Sequence, residues 1–319
     1  MKRLTALAFA CSVAAGVHAQ SWPTKPVRIV VPAPAGSSLD VIVRTLGEKL
    51  NQKWKQPVVV DNKAGAGGML GMDAAAKAVA DGHTLAIGFN GPIAFGPYMC
   101  KKMPYDPAKD LLPVVLTTSQ PNVLAVAATN PARTLPEFVE WAKKQGNKLS
   151  YGSVGNGSSS HLTMELFKAA AGFDAVHVPY GGSPPAASSL AAGETQLLFT
   201  VEPALKPLIQ GGRIKLIAAT SLKRTDTLKE LPTVAESGYP AFEAMAWNGL
   251  FAPAGTPAAV VERINADVNA ALKDPSVRDT FARQGLIPGG GTPAEFKGFI
   301  ERESTKWGEI IKKSGIKID

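Results

Sequence analysis

The stretch from Val27 to Leu50 reads VRIVVPAPAGSSLDVIVRTLGEKL and carries the pattern on which the fold depends. Its first five residues form a short run rich in β-branched side chains, and Pro32 stops it, which predicts a buried strand. Its last residues place apolar side chains such as Leu46 at helical spacing. The segment PAPAGSSLD joins the two, so the stretch predicts a strand, a loop with glycine and serines, and a helix.

The same unit recurs along the chain. Strands are predicted at Val58–Val60 and Leu85–Gly88 around an Ala-rich helix, which completes a β-α-β-α-β pattern with helices on both faces of a sheet. From Val114 to Thr220 strand-like and helix-like segments alternate again without a low-complexity linker. The segment after WNGLFAPAGTP is predicted to be mainly helical and to pack on the first half. We therefore expect two α/β domains joined by crossing strands.

The bulk composition is that of a globular protein of about two domains, with 319 residues, 45% apolar and 19% charged. Residues 1–19 have a basic start, an apolar stretch and Ala19 at the end, which predicts a secretory signal cleaved before Gln20 and a periplasmic location. A lipoprotein reading through Cys11 fits the leader less well.

Cleavage would leave Cys100 as the only cysteine, which excludes an intramolecular disulfide framework and a cysteine-based metal site. The net charge of +8 is spread thinly, in pairs such as Lys101-Lys102. We therefore expect no nucleic-acid partner. The motifs also lead us to expect no metal and no cofactor.

A second loop, in the stretch YGSVGNGSSSHLTMELF from Tyr151 to Phe167, again leads into a helix. Gly155 and Gly157 let the main chain approach a ligand, and the serines at 158–160 bring hydroxyl groups to the helix start. Unpaired N–H groups and the helix dipole make such a start a site for an anion, either carboxylate or phosphate. The alternative is that one serine caps the helix and the others are turn residues.

The loop PAPAGSSLD is of the same type, with Gly36, Ser37 and Ser38 between strand and helix. Asp40 lies in the first helical turn, where it either complements the helix dipole or accepts a hydrogen bond from a ligand. Both interpretations of Asp40 stay open. One anion-binding helix start in each domain predicts a ligand held at both ends in a cleft between the domains.

Catalytic and nucleotide motifs fit less well. YGSVG lacks the first glycine of a nucleophile elbow, and GSVGNGSSS lacks the lysine of a P-loop. GAGGMLG, from Gly65 to Gly71, has its last glycine one residue late for a dinucleotide fingerprint, and we interpret it as a tight turn with close packing. The alternative function is a secreted serine hydrolase acting on a carboxylic ester through Ser158 to Ser160 and His161.

Several motifs occur together in register: VPAPAGSSLDVIVRTLGEKL, VVVDNKAGAGGMLGMDAAAKA, DGHTLAIG, YDPAKDL, LSYGSVGNGSSSHLTMELFK, VHVPYGGSPPA, LPTVAESGYP and WNGLFAPAGTP. Through them the whole chain after the leader resembles the Bug family of extracytoplasmic solute-binding receptors of tripartite tricarboxylate transporters. The resemblance implies a type II periplasmic-binding-protein fold, with two α/β domains and a ligand cleft between them. The expected domains are residues 20–121 with 246–319, and residues 122–245.

The resemblance also implies a function. The protein would be a non-catalytic binding protein that captures a small carboxylate and delivers it to membrane transporter subunits. We expect it to be a monomer. A sensor that feeds a signalling partner is the other binding role. From the loops and the resemblance together, the predicted ligand-binding residues are Gly36, Ser37, Ser38, Asp40, Phe89, Asn90, Gly155, Asn156, Gly157, Ser158, Ser159, Ser160, His161 and Thr200.

Some positions depart from the pattern of the family. Ser37 follows Gly36 where a second glycine is usual, and Leu39 stands where a small polar residue is common. Gly181 and Thr200 replace a lysine and an acidic or amide residue, and FNGPIAFGP is less polar than usual. These departures predict a less polar cleft and favour a more apolar acid, aliphatic or aromatic, over citrate or an amino acid.

Overall fold

The structure is a computed structural model that describes residues 22–315 and residue 317. The predicted leader lies outside the described residues. The strands are β1 (Val27–Val31), β2 (Val58–Asn62), β3 (Thr84–Phe89), β4 (Leu111–Pro121), β5 (Val123–Ala127), β6 (Ser150–Ser153), β7 (Val176–Pro179), β8 (Leu197–Thr200), β9 (Ile214–Ala219), β10 (Met245–Pro253) and β11 (Ile287–Gly290). The α-helices are α1 (Ser38–Trp54), α2 (Met69–Ala76), α3 (Gly96–Met99), α4 (Leu135–Gln145), α5 (Ser159–Ala171), α6 (Ser183–Ala192), α7 (Lys206–Gln210), α8 (Ala258–Lys273), α9 (Pro275–Arg283) and α10 (Pro293–Ser314).

The strands form two mixed sheets with helices packed on them. The first sheet has the order β11-β4-β10-β3-β1-β2, and the second has the order β7-β6-β8-β5-β9. β1 pairs in parallel with β2 and β3, and β6 pairs in parallel with β7 and β8. The predicted alternation of strands and helices in two α/β units is confirmed.

The opening stretch folds as its pattern predicts. Val30 in β1 is fully buried, as expected for a parallel strand covered on both faces. Ser37 is the N-cap of α1, and its hydroxyl accepts the Asp40 N–H. The apolar face of α1, with Ile42 and Leu46, packs into the core below the sheet. Burial of each such side chain stabilises the fold by about 1.5–3 kcal/mol.

The C-terminal third differs from the mainly helical expectation at two places. β10 lies between β3 and β4 and is antiparallel to both, and β11 pairs with β4 at the sheet edge. In β10, Trp247, Leu250 and Phe251 are all buried. A short apolar run that is covered on both faces shows no alternation, so its periodicity does not identify it as a strand.

The chain passes between the sheets at neighbouring points. β4 is parallel to β3, since β10 is antiparallel to both, and it ends at Pro121. After Asn122, β5 starts the second sheet with Val123 opposite Thr200, the last residue of β8. The return crossing ends at Met245, which pairs with Pro121. The carboxyl ends of β1 and β3 and those of β6 and β8 therefore flank the crossings, the edge at which open α/β sheets bind ligands.

Helix α10 connects the two halves on another side. It packs on a π-helical turn at Gly91–Phe95 that follows β3, and it also contacts α5 of the second half. Its Trp307 ring meets Phe95 edge to face at a centroid distance of 5.1 Å. Within residues 22–315, no helix is both long enough and apolar enough to span a bilayer.

Candidate functional site

The loop after β6 forms a tight cap on α5. Gly155 and Gly157 have φ angles of 131° and 68°, a region that favours glycine. Ser158 is the N-cap: its hydroxyl accepts the His161 N–H at 3.2 Å and donates to the Gly155 carbonyl at 2.7 Å. The capping interpretation is therefore correct for Ser158, whose hydroxyl hydrogen is used within the protein.

The other two serines of this loop differ from each other. Ser160 is buried, and its hydroxyl donates to the carbonyl of Phe199 in β8. Ser159 is half-buried, and its oxygen accepts the side-chain amide of Asn122 at 2.9 Å. The expectation that all three hydroxyl groups serve as donors to a ligand is corrected, because the protein itself takes the hydroxyl hydrogens of Ser158 and Ser160.

Main-chain N–H groups supply the remaining donors. Within the described part of the chain, the N–H groups of Asn156, Ser159 and Ser160 have no acceptor. The last two belong to the first turn of α5, where N–H groups point along the helix axis and the dipole is positive. The loop therefore presents donors without a formal positive charge.

Two stacked histidines lie beneath this loop. His161 Nδ1 accepts the Gly157 N–H at 3.1 Å, and its ring stacks on His177 with a centroid distance of 3.8 Å. His177 Nε2 lies 2.6 Å from Ser153 Oγ, which in turn accepts the Gly155 N–H at 3.2 Å. The pair thus orders both glycine N–H groups of the loop from the protein side.

Both imidazoles are held neutral. Burial lowers the pKa of His161 to about 3, and His177 and Lys168 act in the same direction. Burial is also the main cause that lowers the pKa of His177. At neutral pH neither imidazole therefore adds a charge to the second loop.

The loop after β1 has the same layout, but the side chain that accepts its glycine N–H is a charged carboxylate. The Gly36 N–H donates to Asp40 Oδ2 at 2.9 Å, and Arg44 Nε donates to the same oxygen at 2.9 Å. Asn62 Nδ2 donates to the other carboxylate oxygen at 3.0 Å. The hydrogen bond from Arg44 is the main cause that lowers the pKa of Asp40 to about 2, although burial acts in the opposite direction.

These contacts give Asp40 a role inside the loop. Its side chain is almost completely buried, and both oxygens are engaged by protein donors. The N–H groups of Ser38 and Leu39 have no acceptor among the described residues. The donors that this loop offers to a ligand are therefore main-chain groups, and Asp40 holds them in place.

Phe89 and Asn90 lie at the carboxyl end of β3, beside the first loop in the sheet order. The Phe89 ring covers Gly68, and a Cβ added to that glycine would lie 2.7 Å from it. Asn90 is buried, and its amide lies 3.5 Å from the carbonyl of Met245 at the return crossing. Phe89 therefore offers an apolar surface, while Asn90 contacts the crossing.

Thr200, at the end of β8, contacts a residue that the sequence reasoning did not include. Its hydroxyl lies 3.0 Å from that of Ser183, the first residue of α6. The N–H groups of Gly181, Gly182 and Ser183 lack an acceptor within the described chain. The signal for this third donor-rich loop was present in VPYGGSPPA, where glycines and a serine follow a strand.

The GAGGMLG segment is a packing element, as predicted. A Cβ at Gly71 would lie 2.9 Å from the Lys63 carbonyl oxygen, so only glycine fits there. Among the described residues no cluster of three or more His, Cys, Asp or Glu side chains is arranged to hold a metal ion.

The structure does contain one serine–histidine pair with the spacing of a nucleophile and base, Ser153 and His177. Ser153 is completely buried and its oxygen already accepts the Gly155 N–H, so no substrate carbonyl can reach it. His161, the base of the predicted hydrolase alternative, uses Nδ1 to accept the Gly157 N–H. Neither of these serine–histidine arrangements, both within the described residues, therefore combines an accessible nucleophile with a free base.

A cavity of about 620 Å³ lies elsewhere. It is formed between α10 and residues 97–108, with Tyr98, Met103 and Ile300 in its wall, and it includes none of the predicted site residues. Its lining includes side chains of both charge signs, among them Lys297 and Glu301. The site of interest is the set of loops at the crossings.

Two α/β sheets joined by short crossings, with donor-rich loops at their facing carboxyl edges, define the architecture of a type II periplasmic binding protein, as predicted. A family model described as "Tripartite tricarboxylate transporter family receptor" matches residues 42–316. The chain belongs to this receptor family, which includes the Bug proteins.

Solved structures of relatives agree with this assignment. An R. palustris protein solved with adipate is 36% identical, with a TM-score of 0.84, and the match covers 93% of this chain and 99% of that one. The periplasmic binding protein BugD is 32% identical, with a TM-score of 0.79 and coverage of 93% and 99%. MatC from Rhodopseudomonas palustris, with bound malate, is 29% identical, with a TM-score of 0.79 and coverage of 91% and 100%.

Proposed function

We propose that this protein captures a small carboxylate between its two sheets and delivers it to membrane transporter subunits. The observation that carries the proposal is the start of α5. There the N–H groups of Ser159 and Ser160 have no acceptor in the described chain, and the supporting imidazole of His161 is neutral. A carboxylate oxygen accepts such N–H groups and gains from the helix dipole.

A carboxylate suits this loop better than a phosphate. Phosphate carries up to two charges and three acceptor oxygens, and its sites commonly add Arg or Lys. The residues from Gly155 to His161 include neither, and Lys168 farther along α5 is paired with Glu165 at 2.9 Å. A single negative charge matches a neutral set of donors.

The first loop, with the N–H groups of Ser38 and Leu39, would receive the other end of the ligand. Two relatives were solved with adipate and with malate, and both compounds carry a carboxylate at each end. The half-buried ring of Phe89 supports an aliphatic or aromatic body between the ends. We therefore propose a mono- or dicarboxylate of low polarity, rather than citrate or an amino acid.

Ligand capture would involve closure of the two halves. We propose that residues 20–121 with 246–319 form one body and residues 122–245 the other, with bending at Asn122 and at Ala244. The protein would act in the periplasm as a monomer after cleavage before Gln20, and it would release its ligand unchanged. A sensor role would use the same binding event with a different membrane partner.

Calorimetric titration of the purified protein tests this function. The panel is adipate, malate, benzoate, citrate and glutamate, each beside the counterpart in which amides replace the carboxylates. We expect adipate or benzoate to bind more tightly than citrate and glutamate, the amides to bind weakly, and no product to appear on prolonged incubation. Tightest binding of citrate or glutamate would contradict the proposed ligand class, and product formation from the corresponding esters would favour a hydrolase.

A further inference from the structure

Asn122 occupies the first crossing between the sheets, outside every loop that was predicted to contact a ligand. We propose that Asn122 is a positioning residue that turns the Ser159 hydroxyl into a donor aimed at the ligand, and so helps the site to select an anion. This inference rests on the proposed function, because it concerns how the same site recognises a carboxylate.

The contacts of the Asn122 side chain carry the inference. Its Nδ2 lies 2.9 Å from Ser159 Oγ and 3.1 Å from Thr163 Oγ1, and Asn122 itself is almost completely buried. A primary amide nitrogen has two hydrogens, so it donates to both oxygens at once. Each of the two hydroxyl groups is thereby fixed as an acceptor toward Asn122.

A hydroxyl group that accepts on one side keeps its own hydrogen for another partner. The described residues offer no acceptor for the Ser159 hydroxyl hydrogen, and Ser159 is half-buried at the first position of α5. The Ser158 and Ser160 hydrogens are already used by the Gly155 and Phe199 carbonyl groups. Of the three serines, Ser159 alone can donate a hydroxyl hydrogen to a bound carboxylate.

The main chain of Asn122 is fixed by both crossings. Its N–H donates to Thr220 Oγ1 at 2.9 Å, and its carbonyl accepts the Thr220 N–H at 2.9 Å. The Thr220 hydroxyl also contacts the carbonyl of Ala244, next to the return crossing. The amide that orients Ser159 is therefore anchored by hydrogen bonds to Thr220, outside the loop that Ser159 follows.

A binding cycle with adipate as the probe tests this role. Ser159→Ala should weaken adipate binding by about tenfold or more, as expected for a lost hydrogen bond to a charged group. Asn122→Leu should weaken it by about fivefold in the unchanged protein and by less than twofold in the Ser159→Ala background, because the two residues act as one unit. Thr163→Val, which removes the other acceptor of the same amide, is the matched control and should change affinity by less than twofold.

The isosteric variant Asn122→Asp provides a second measurement if Asn122→Leu does not fold. An aspartate accepts the Ser159 hydrogen, so the serine would then present a lone pair to the ligand. The ratio of adipate affinity to that of its monoamide should fall in this variant, and thermal unfolding should show whether the fold is kept.

The outcomes separate the two claims. Equal losses from Asn122→Leu in both serine backgrounds, or an unchanged adipate-to-monoamide ratio in Asn122→Asp, would overturn the role of Asn122 while leaving the proposed function intact. Failure of the unmodified protein to bind any acid of the panel would overturn the proposed function and this inference together.

Discussion

The two helix starts at the crossings have the same construction but differ in the charge of the side chain that supports the glycine. Each has the local sequence Gly-Ser-Ser, with the glycine at positive φ and the middle serine as N-cap, at residues 36–38 and 157–159. In each, the third residue after the N-cap accepts the N–H of the glycine: Asp40 for Gly36 and His161 for Gly157. The acceptor in the first loop is a carboxylate paired with an arginine, and the acceptor in the second loop is a neutral imidazole.

This difference indicates which loop receives the charge of the ligand. At the first loop a bound anion would lie near the carboxylate of Asp40, whose charge Arg44 offsets only in part because its side chain is half exposed. At the second loop no like charge stands beside the donors. We therefore expect the second loop to bind the primary carboxylate and the first loop to contribute a weaker, mainly polar contact.

The largest expected effect comes from proline at the first helical position of each start. Ser159→Pro removes an N–H and a hydroxyl from the second loop and should lower adipate affinity by about 1.5–3 kcal/mol. Ser38→Pro at the matched position should cost less than about 1 kcal/mol. Calorimetry of both variants, with Ser159→Ala to separate the hydroxyl from the N–H, measures the difference.

Both substitutions suit the backbone. Proline is common at the first helical position, and the preceding serines have ψ angles of 163° and 161°, which a following proline accepts. Equal losses for the two proline variants would remove the distinction between the loops. Unchanged affinity in a folded Ser159→Pro protein would exclude the second loop as the carboxylate site.

Acid should remove the stability contributions of His161 and Asp40 in different pH ranges. His161 has a folded-state pKa of about 3, below its usual value near 6.5, so the unfolded chain binds more protons between these values. Its contribution to stability is complete above pH 6.5 and is lost as the pH falls toward 3, by up to about 1.4 kcal/mol per pH unit. Asp40, with a pKa of about 2 against 3.8, loses its contribution only below about pH 3.8.

Urea unfolding between pH 7 and pH 4 measures this difference. His161→Asn keeps an acceptor near the Nδ1 position but does not titrate, so its free energy of unfolding should fall less steeply with acid than that of the unchanged protein. Asp40→Asn should leave the slope in this range unchanged. The same slope in His161→Asn as in the unchanged protein would assign the acid sensitivity to His177, whose pKa burial also lowers.

The smallest expected effect is that of Asp40→Asn on binding at neutral pH. The variant loses the charged contact with Arg44, so the free energy of unfolding should fall by about 0.5–1.5 kcal/mol. Because a like charge near the first loop is removed, adipate affinity should stay the same or rise slightly. A large loss of affinity, with the fold retained, would show that Asp40 contacts the ligand directly.

Local patterns were sufficient to predict the two loops and the helix starts that follow them. The order of strand-like run, glycine, serine and amphipathic segment identified both helix starts, since such starts depend on residues within one turn. The same reasoning treated Ser158, Ser159 and Ser160 alike. Successive helical residues point about 100° apart, so Ser158 caps the helix, Ser160 faces β8, and Ser159 keeps a hydroxyl hydrogen without an acceptor among the described residues.

Partners that are distant in sequence could not be predicted in this way. His177 reaches Ser153 from 24 residues away, and Asn122 reaches Ser159 from 37 residues away. Asn122 does carry a local signal, because a polar residue stands between Pro121 and a β-branched run at the point where the chain changes sheets. The role of Asn122 depends on which helix packs beside it, and the periodicity of the sequence contains no information on that packing.

The sequence by itself determined where β1 and β6 end and where α1 and α5 begin, because these depend on interactions within a few residues. Tertiary structure decided which donors remain available to a ligand and whether charge lies beside them. Burial keeps the histidine pair neutral, and the crossing at Asn122 orients a hydroxyl of the second half. A hydrogen bond uses a donor only once, so the free donors of this site are known only when all its neighbours are in place.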